Sequence, residues 1–161
     1  MSFIIRKGRK EDCIALLKLI HELAVFEKAA NEVSVSLSQI EEDGFGENSI
    51  YEFFVAEEKE GIIGIALYYE KYSTWKGRSL YLEDLIVTQD KRGLGAGKAL
   101  FKKVIQEAKE RSSGRMEWQV LDWNKSAIDF YKAYGANLDE SWINGQFKSE
   151  QLQRMKLDEG I

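Results

Sequence analysis

The chain opens with a short apolar stretch over residues 3–6, which predicts a strand. From about residue 11 to residue 27 the apolar Ile14, Leu17, Ile20, Leu23 and Ala24 recur at helical spacing. Ser36 followed three residues later by Gln39 has the form of a capping box, so a second helix is expected there, stopping near Gly44 and Gly46. Residues 51–57 and 62–72 read as two strands joined through Gly61, an antiparallel hairpin. Residues 80–87 form a third strand, ending before a polar, glycine-rich turn.

An amphipathic helix follows over about 97–111, with Leu100, Phe101, Val104, Ile105 and Ala108 on one face. In 116–121, Met116, Trp118 and Val120 alternate with Glu117 and Gln119, which predicts a strand. Asn124 can cap a helix running to Tyr134, with Gly135 at its C′ position. The rest is expected to add one or two strands and a short C-terminal helix. The predicted order β-α-α-β-β-β-α-β-α-β describes one mixed sheet with helices on both faces. No repeat or linker interrupts it, and 161 residues suit a single domain spanning 1–161.

Composition narrows the function. An apolar fraction of 44% with four Trp, seven Tyr and eight Phe is enough for a packed core. No apolar run approaches the roughly 18 residues that span a bilayer. The first residues lack the apolar stretch of a secretory leader, and Cys13 is the only cysteine, so we expect a cytoplasmic protein. The net charge of −4 and the absence of a basic stripe argue against nucleic acid as a partner. His21 has no Ser or Cys at triad-like spacing, and Cys13 with His21 makes no metal site, so none is expected.

The chemistry concentrates between the third strand and the helix after it. In Arg92-Gly93-Leu94-Gly95-Ala96-Gly97-Lys98, alternating glycines let successive N–H groups converge without Cβ obstruction. The helix start adds free N–H groups and a positive dipole end, and Arg92 and Lys98 add full charges. Such a loop can cradle a pyrophosphate. A P-loop needs glycine where Arg92 stands and Ser or Thr where Ala99 stands. A dinucleotide fingerprint needs its third glycine where Lys98 stands. The remaining pattern, R-x-x-G-x-G, resembles the coenzyme A loop of the GCN5-related acetyltransferases.

The resemblance extends along nearly the whole chain. Leu80-Tyr81-Leu82-Glu83-Asp84-Leu85-Ile86-Val87 is similar to the strand before the cofactor loop in the spermidine/spermine acetyltransferase family. Val120-Leu121-Asp122-Trp123-Asn124 through Asp129-Phe130-Tyr131-Lys132 is similar to its second cofactor segment. Phe26-Glu27-Lys28 and Glu42-Asp43-Gly44-Phe45-Gly46 resemble its N-terminal half. The polyamine branch has Asp-Pro-Trp where this chain has Ser73-Thr74-Trp75, and the whole stretch from Tyr72 to Arg78 resembles the thialysine acetyltransferase branch instead. Loss of that aspartate should weaken capture of a second ammonium.

This resemblance implies an α/β fold with a mostly antiparallel sheet splayed at the cofactor site. It implies acetyl-CoA as cosubstrate, a small amine as acceptor and a homodimer. It assigns Glu83 to attract the ammonium and take its proton, and Tyr131 to protonate the departing thiolate. Glu83 and Asp84 are neighbours on a strand, so they are expected to face opposite ways, with only one reaching the substrate. The resemblance further implies cofactor contacts at Leu85, Ile86 and Val87, along residues 92–98 (Arg92, Gly93, Leu94, Gly95, Ala96, Gly97 and Lys98), and at Asn124, Lys125 and Ser126. It places Phe26, Glu27, Ser73, Glu83, Glu140 and Trp142 at the substrate. The stretch from Gly135 to Trp142 is shorter than in the family, a departure that counts against the family's contact in which one subunit's tail reaches its partner's site. Competing functions are a polyamine acetyltransferase, a protein lysine or N-terminal acetyltransferase, and a coenzyme A-binding regulator without turnover.

Overall fold

The computed structural model describes residues 2–157. Their contacts divide into two compact units, one ending at Leu121 and one beginning at Asp122. In the first, β1 (Ile4–Lys7), β2 (Glu52–Glu58), β3 (Gly61–Ser73), β4 (Gly77–Val87) and β5 (Met116–Trp118) form one sheet in sequence order. Neighbours are antiparallel except β4 and β5, which run parallel. A parallel pair needs a long crossover, and helix α3 (Ala96–Glu110) supplies it.

Helices α1 (Cys13–Phe26) and α2 (Leu37–Phe45) precede β2. The capping box forms as expected: Gln39 N–H donates to Ser36 Oγ at 3.2 Å and Ser36 N–H donates to Gln39 Oε1 at 2.9 Å. Helix α1 begins two residues later than its apolar pattern, behind a 3-10 turn over Lys10–Asp12. The Asp12 carboxylate is held there by the Arg9 N–H at 2.7 Å and by both Arg6 guanidinium nitrogens.

The sheet is covered on both faces, which explains the unbroken apolar run Phe53-Phe54-Val55-Ala56 in β2. Phe53, Val55, Ile65, Leu67 and Ile86 share one core cluster with Cys13, Leu16 and Leu19 of α1 and Ile40 of α2. On the other face Phe54 stacks on Tyr68 at 5.2 Å, and Leu100, Phe101 and Val104 of α3 are buried.

The second unit holds α4 (Lys125–Ala133) and the short α5 (Ser149–Arg154). Asn124 caps α4, its Oδ1 accepting from Ala127 N–H at 3.2 Å. Gly135 has the left-handed φ of 77° expected of a C′ glycine. The one or two strands expected after it are not formed among the described residues. Trp142 and Ile143 are 72% and 96% exposed, with no ladder to satisfy their backbone.

Candidate active site

The centre of the site is an irregularity in β4. Leu67 of β3 pairs with Asp84 and Tyr68 pairs with Leu82, so Glu83 is the extra residue of a β-bulge. Leu67 belongs to the α1 side of the sheet and Tyr68 to the α3 side. Asp84 therefore faces α1 while Leu82 faces α3. The expectation that Glu83 and Asp84 point to opposite faces fails here, because strict alternation does not pass through a bulge. Glu83 instead turns toward Tyr69, whose hydroxyl donates to Glu83 Oε2 at 2.8 Å. Tyr69 packs against the α1-side cluster, so both carboxylates belong to that face.

Their electrostatics follow from this crowding. Burial pushes the Asp84 carboxyl up to about 7, and the negative charges of Glu83 and Glu27 push it the same way. Burial also raises the Glu27 carboxyl at the end of α1. Three acids thus converge where a cation lowers the electrostatic cost of all three.

Beyond the bulge the sheet opens. The β5 ladder joins Leu80, Leu82 and the Tyr81 between them to Met116–Trp118 and goes no further. That is why β5 ends at Trp118 rather than at the expected residue 121. From Asp84 to Val87, β4 pairs with β3. Leu85, Ile86 and Val87 therefore present one backbone edge outside any ladder, as a splayed sheet requires.

At the end of that edge lies the glycine loop. Gly93 and Gly95 adopt φ of 80° and 89°, the left-handed region that an L side chain reaches only with strain. A Cβ on either would meet no described atom within 4 Å, so the space over the loop is open. Gly95 is the N-cap of α3 and has no side-chain cap, and Ala99 N–H makes the first helical bond to its carbonyl at 3.0 Å. The N–H groups of Ala96, Gly97 and Lys98 therefore face outward from the helix start. This donor set, with open space over Gly93 and Gly95 and a helix dipole behind it, fits the diphosphate of coenzyme A.

The approach to the loop is anchored by residues the sequence pattern did not mark. Glu22 of α1 accepts from Thr88 Oγ1 at 2.9 Å and from Gln89 N–H at 2.8 Å. Arg92 donates from Nε to the Val87 carbonyl at 3.0 Å, and its guanidinium lies 5.1 Å from the Phe26 ring centre. The loop, the last aromatic of α1 and the β4 edge are thereby joined through one side chain. Leu94 and Lys98 are exposed. Nothing at Glu22, Tyr69 or Asp84 has a local signal, since each matters only through neighbours distant in sequence.

Ser73 is not brought to Glu83. It ends β3 opposite Gly77, six positions along β4 from Glu83, or roughly 20 Å at strand rise. Its Oγ accepts from Trp75 N–H at 3.2 Å, Lys76 N–H at 3.1 Å and Arg115 Nη2 at 2.9 Å, which organises the hairpin turn. In the second unit, Tyr131 is 7% exposed and its ring meets Phe130 at 5.3 Å. Lys125 pairs with Asp129 at 2.8 Å, Ser126 is exposed, and the Asn124 carboxamide oxygen is engaged in capping. Glu140 and Trp142 are exposed.

Among the described residues no cluster of His, Cys, Asp and Glu could hold a metal ion, and no helix is long and apolar enough to cross a membrane. Residues 10–136 match the model of the Acetyltransferase (GNAT) family. A thialysine N-epsilon-acetyltransferase of Bos taurus is 41% identical over 167 aligned residues, covering 96% of this chain and 98% of its own. The spermidine/spermine N(1)-acetyltransferase-like protein 1 of Homo sapiens is 34% identical, covering 98% of this chain and 24% of its own. Among solved structures, an integron cassette protein from the mobile metagenome of V. cholerae superposes with a TM-score of 0.76 at 26% identity, covering 95% and 96% of the two chains. The glycine loop at the end of a splayed strand suits such chemistry, and the family model and the relatives lead to one conclusion: the chain belongs to the GNAT family and is an acetyl-CoA-dependent N-acetyltransferase.

Proposed function

We propose that this enzyme acetylates the side-chain amine of a small amino acid of the thialysine type, with Glu83 accepting the proton. The carrying observation is the bulge that brings Asp84 to the face shared by Glu83, where the charge of Glu27 also reaches it. The likeness to thialysine acetyltransferases along nearly the full chain supports the choice of substrate class.

An alkylamine of pKa near 10.4 is almost wholly protonated at neutral pH, with roughly one molecule in a thousand nucleophilic. Reaching that form costs about 4 kcal/mol unless a base takes the proton within the site. The acidic face attracts the ammonium, and Glu83 removes its proton. Thialysine carries sulfur two carbons from its amine. Electron withdrawal lowers the amine pKa, so a carboxylate suffices as base.

Residues 92–98 hold the diphosphate of coenzyme A, with Asn124, Lys125 and Ser126 contributing from the start of α4. The backbone of Leu85, Ile86 and Val87 aligns the acetyl-pantetheine arm. A polarising contact on the thioester oxygen is worth about 3 kcal/mol. Tyr131 donates a proton to the departing thiolate, and Phe26, Glu140 and Trp142 bound the amine. The working form is a cytoplasmic homodimer acting on a free small molecule, with neither nucleic acid nor membrane as partner.

The test is acetyl-CoA consumption with thialysine, lysine, ornithine, putrescine, spermidine and spermine in parallel. Thialysine is expected to give the highest kcat/KM, by about 10-fold or more over the polyamines. Preference for spermidine or spermine overturns the substrate class. Tyr131→Phe is expected to bind acetyl-CoA normally and to turn over about 10- to 1000-fold more slowly. Unchanged turnover removes Tyr131 from the mechanism.

A further inference from the structure

We propose that Tyr69 is the positioning residue that holds Glu83 in its working orientation. This rests on the reading of Glu83 as the proton acceptor. Glu83 is exposed and sits in a bulge, where ladder pairing does not fix the direction of its side chain. Three rotatable bonds separate its carboxylate from the backbone, and an unrestrained carboxylate samples many directions. Tyr69 removes that freedom by donating its hydroxyl to Oε2 at 2.8 Å.

The donor itself is rigid. Its ring lies 5.3 Å from that of Tyr81, its cross-strand partner, and packs against the α1-side core. The adjacent Tyr68 cannot take this role, because it faces α3 and stacks on Phe54. Tyr69 pairs with Tyr81, two residues before Glu83, so all three share the α1 side. Burial, and then the bond to Glu83, raise the Tyr69 phenol above its ordinary range, so it stays a donor through neutral pH. One oxygen of Glu83 is thereby fixed, and the other is left to receive a proton from the amine. Tyr69 acts through Glu83 and does not itself meet the reacting atoms.

A double-mutant cycle with thialysine as amine tests this. Tyr69→Phe keeps the ring and removes the donor. It is expected to lower kcat about 10-fold, with little change in acetyl-CoA affinity. In a Glu83→Gln background the same change is expected to have no further effect, which a merely structural role would not produce. Tyr81→Phe, removing a neighbouring hydroxyl, is expected to keep kcat within about twofold. Should Tyr69→Phe fold poorly, Tyr69→Gln, which retains a donor, is expected to keep more kcat than Tyr69→Leu.

The inference alone is overturned if Glu83→Gln slows turnover and Tyr69→Phe does not. It is equally overturned if Tyr69→Phe costs the same factor in both backgrounds, if Tyr81→Phe costs as much, or if Tyr69→Gln is no better than Tyr69→Leu. An unimpaired Glu83→Gln overturns the reading of Glu83 itself, and this inference with it.

Discussion

Leu82 and Asp84 stand two residues apart on β4, yet they face opposite sides of the sheet. The single unpaired residue between them, Glu83, reverses the alternation. Upstream of it the strand follows one parity and downstream the other. The face toward α1 gains a second carboxyl, that of Asp84, which an unbroken strand would have sent to the side of α3.

Asp84 should leave a signature in stability against pH. An unfolded aspartate titrates near 3.9, while the folded carboxyl is held up to about 7. Between those values the folded state binds more protons, so stability falls as pH rises through about 4 to 7. Asp84→Asn removes that loss. Relative to the parent, the variant is expected to gain about 3 kcal/mol between pH 4.5 and pH 8, measured by urea unfolding at both. Parallel behaviour of the two proteins would mean that Asp84 carries no such penalty.

Gly95 and Gly97 separate conformation from cofactor contact. At Gly95, φ is 89°, so Gly95→Ala is expected to cost about 1 kcal/mol of stability as well as acetyl-CoA affinity. Gly97 is helical, and a Cβ there would sit 3.6 Å from Val87 Cγ2, an ordinary contact. Gly97→Ala is therefore expected to raise stability by about 0.5 kcal/mol. It is also expected to weaken acetyl-CoA by about 10-fold, because the methyl crowds the amides that meet the diphosphate. Calorimetric titration beside denaturant unfolding distinguishes the two; full affinity in Gly97→Ala would mean that the diphosphate lies elsewhere.

Ser73 tests the hairpin. Its oxygen serves three donors, so Ser73→Ala is expected to cost about 1–2 kcal/mol of stability. At roughly 20 Å from Glu83 along the strand, it is expected to leave the KM for the amine within about twofold. A large rise in that KM with unchanged stability would return Ser73 to the substrate.

Local signals carried much of the site's scaffold. Gly93 and Gly95 announced their loop because glycine reaches left-handed φ without strain, and Gly97 because it allows close backbone approach; both are properties of the residue itself. The caps at Ser36 and Asn124 were legible for the same reason, since a cap spans three residues. The tail misled, because apolar residues such as Trp142 and Ile143 specify a strand only where a ladder exists to receive them.

The sequence by itself determined the elements and their order as far as α4, and the family, since periodicity, caps and glycine spacing act over a few residues. Tertiary structure alone decided where β5 parts from β4, that Glu22 ties down the loop, and that Glu83 meets Tyr69 while Asp84 shares its face. Each of these depends on register between strands or on contacts between helix and loop. Register is fixed by the packing of both sheet faces at once, and no short window of residues contains that information.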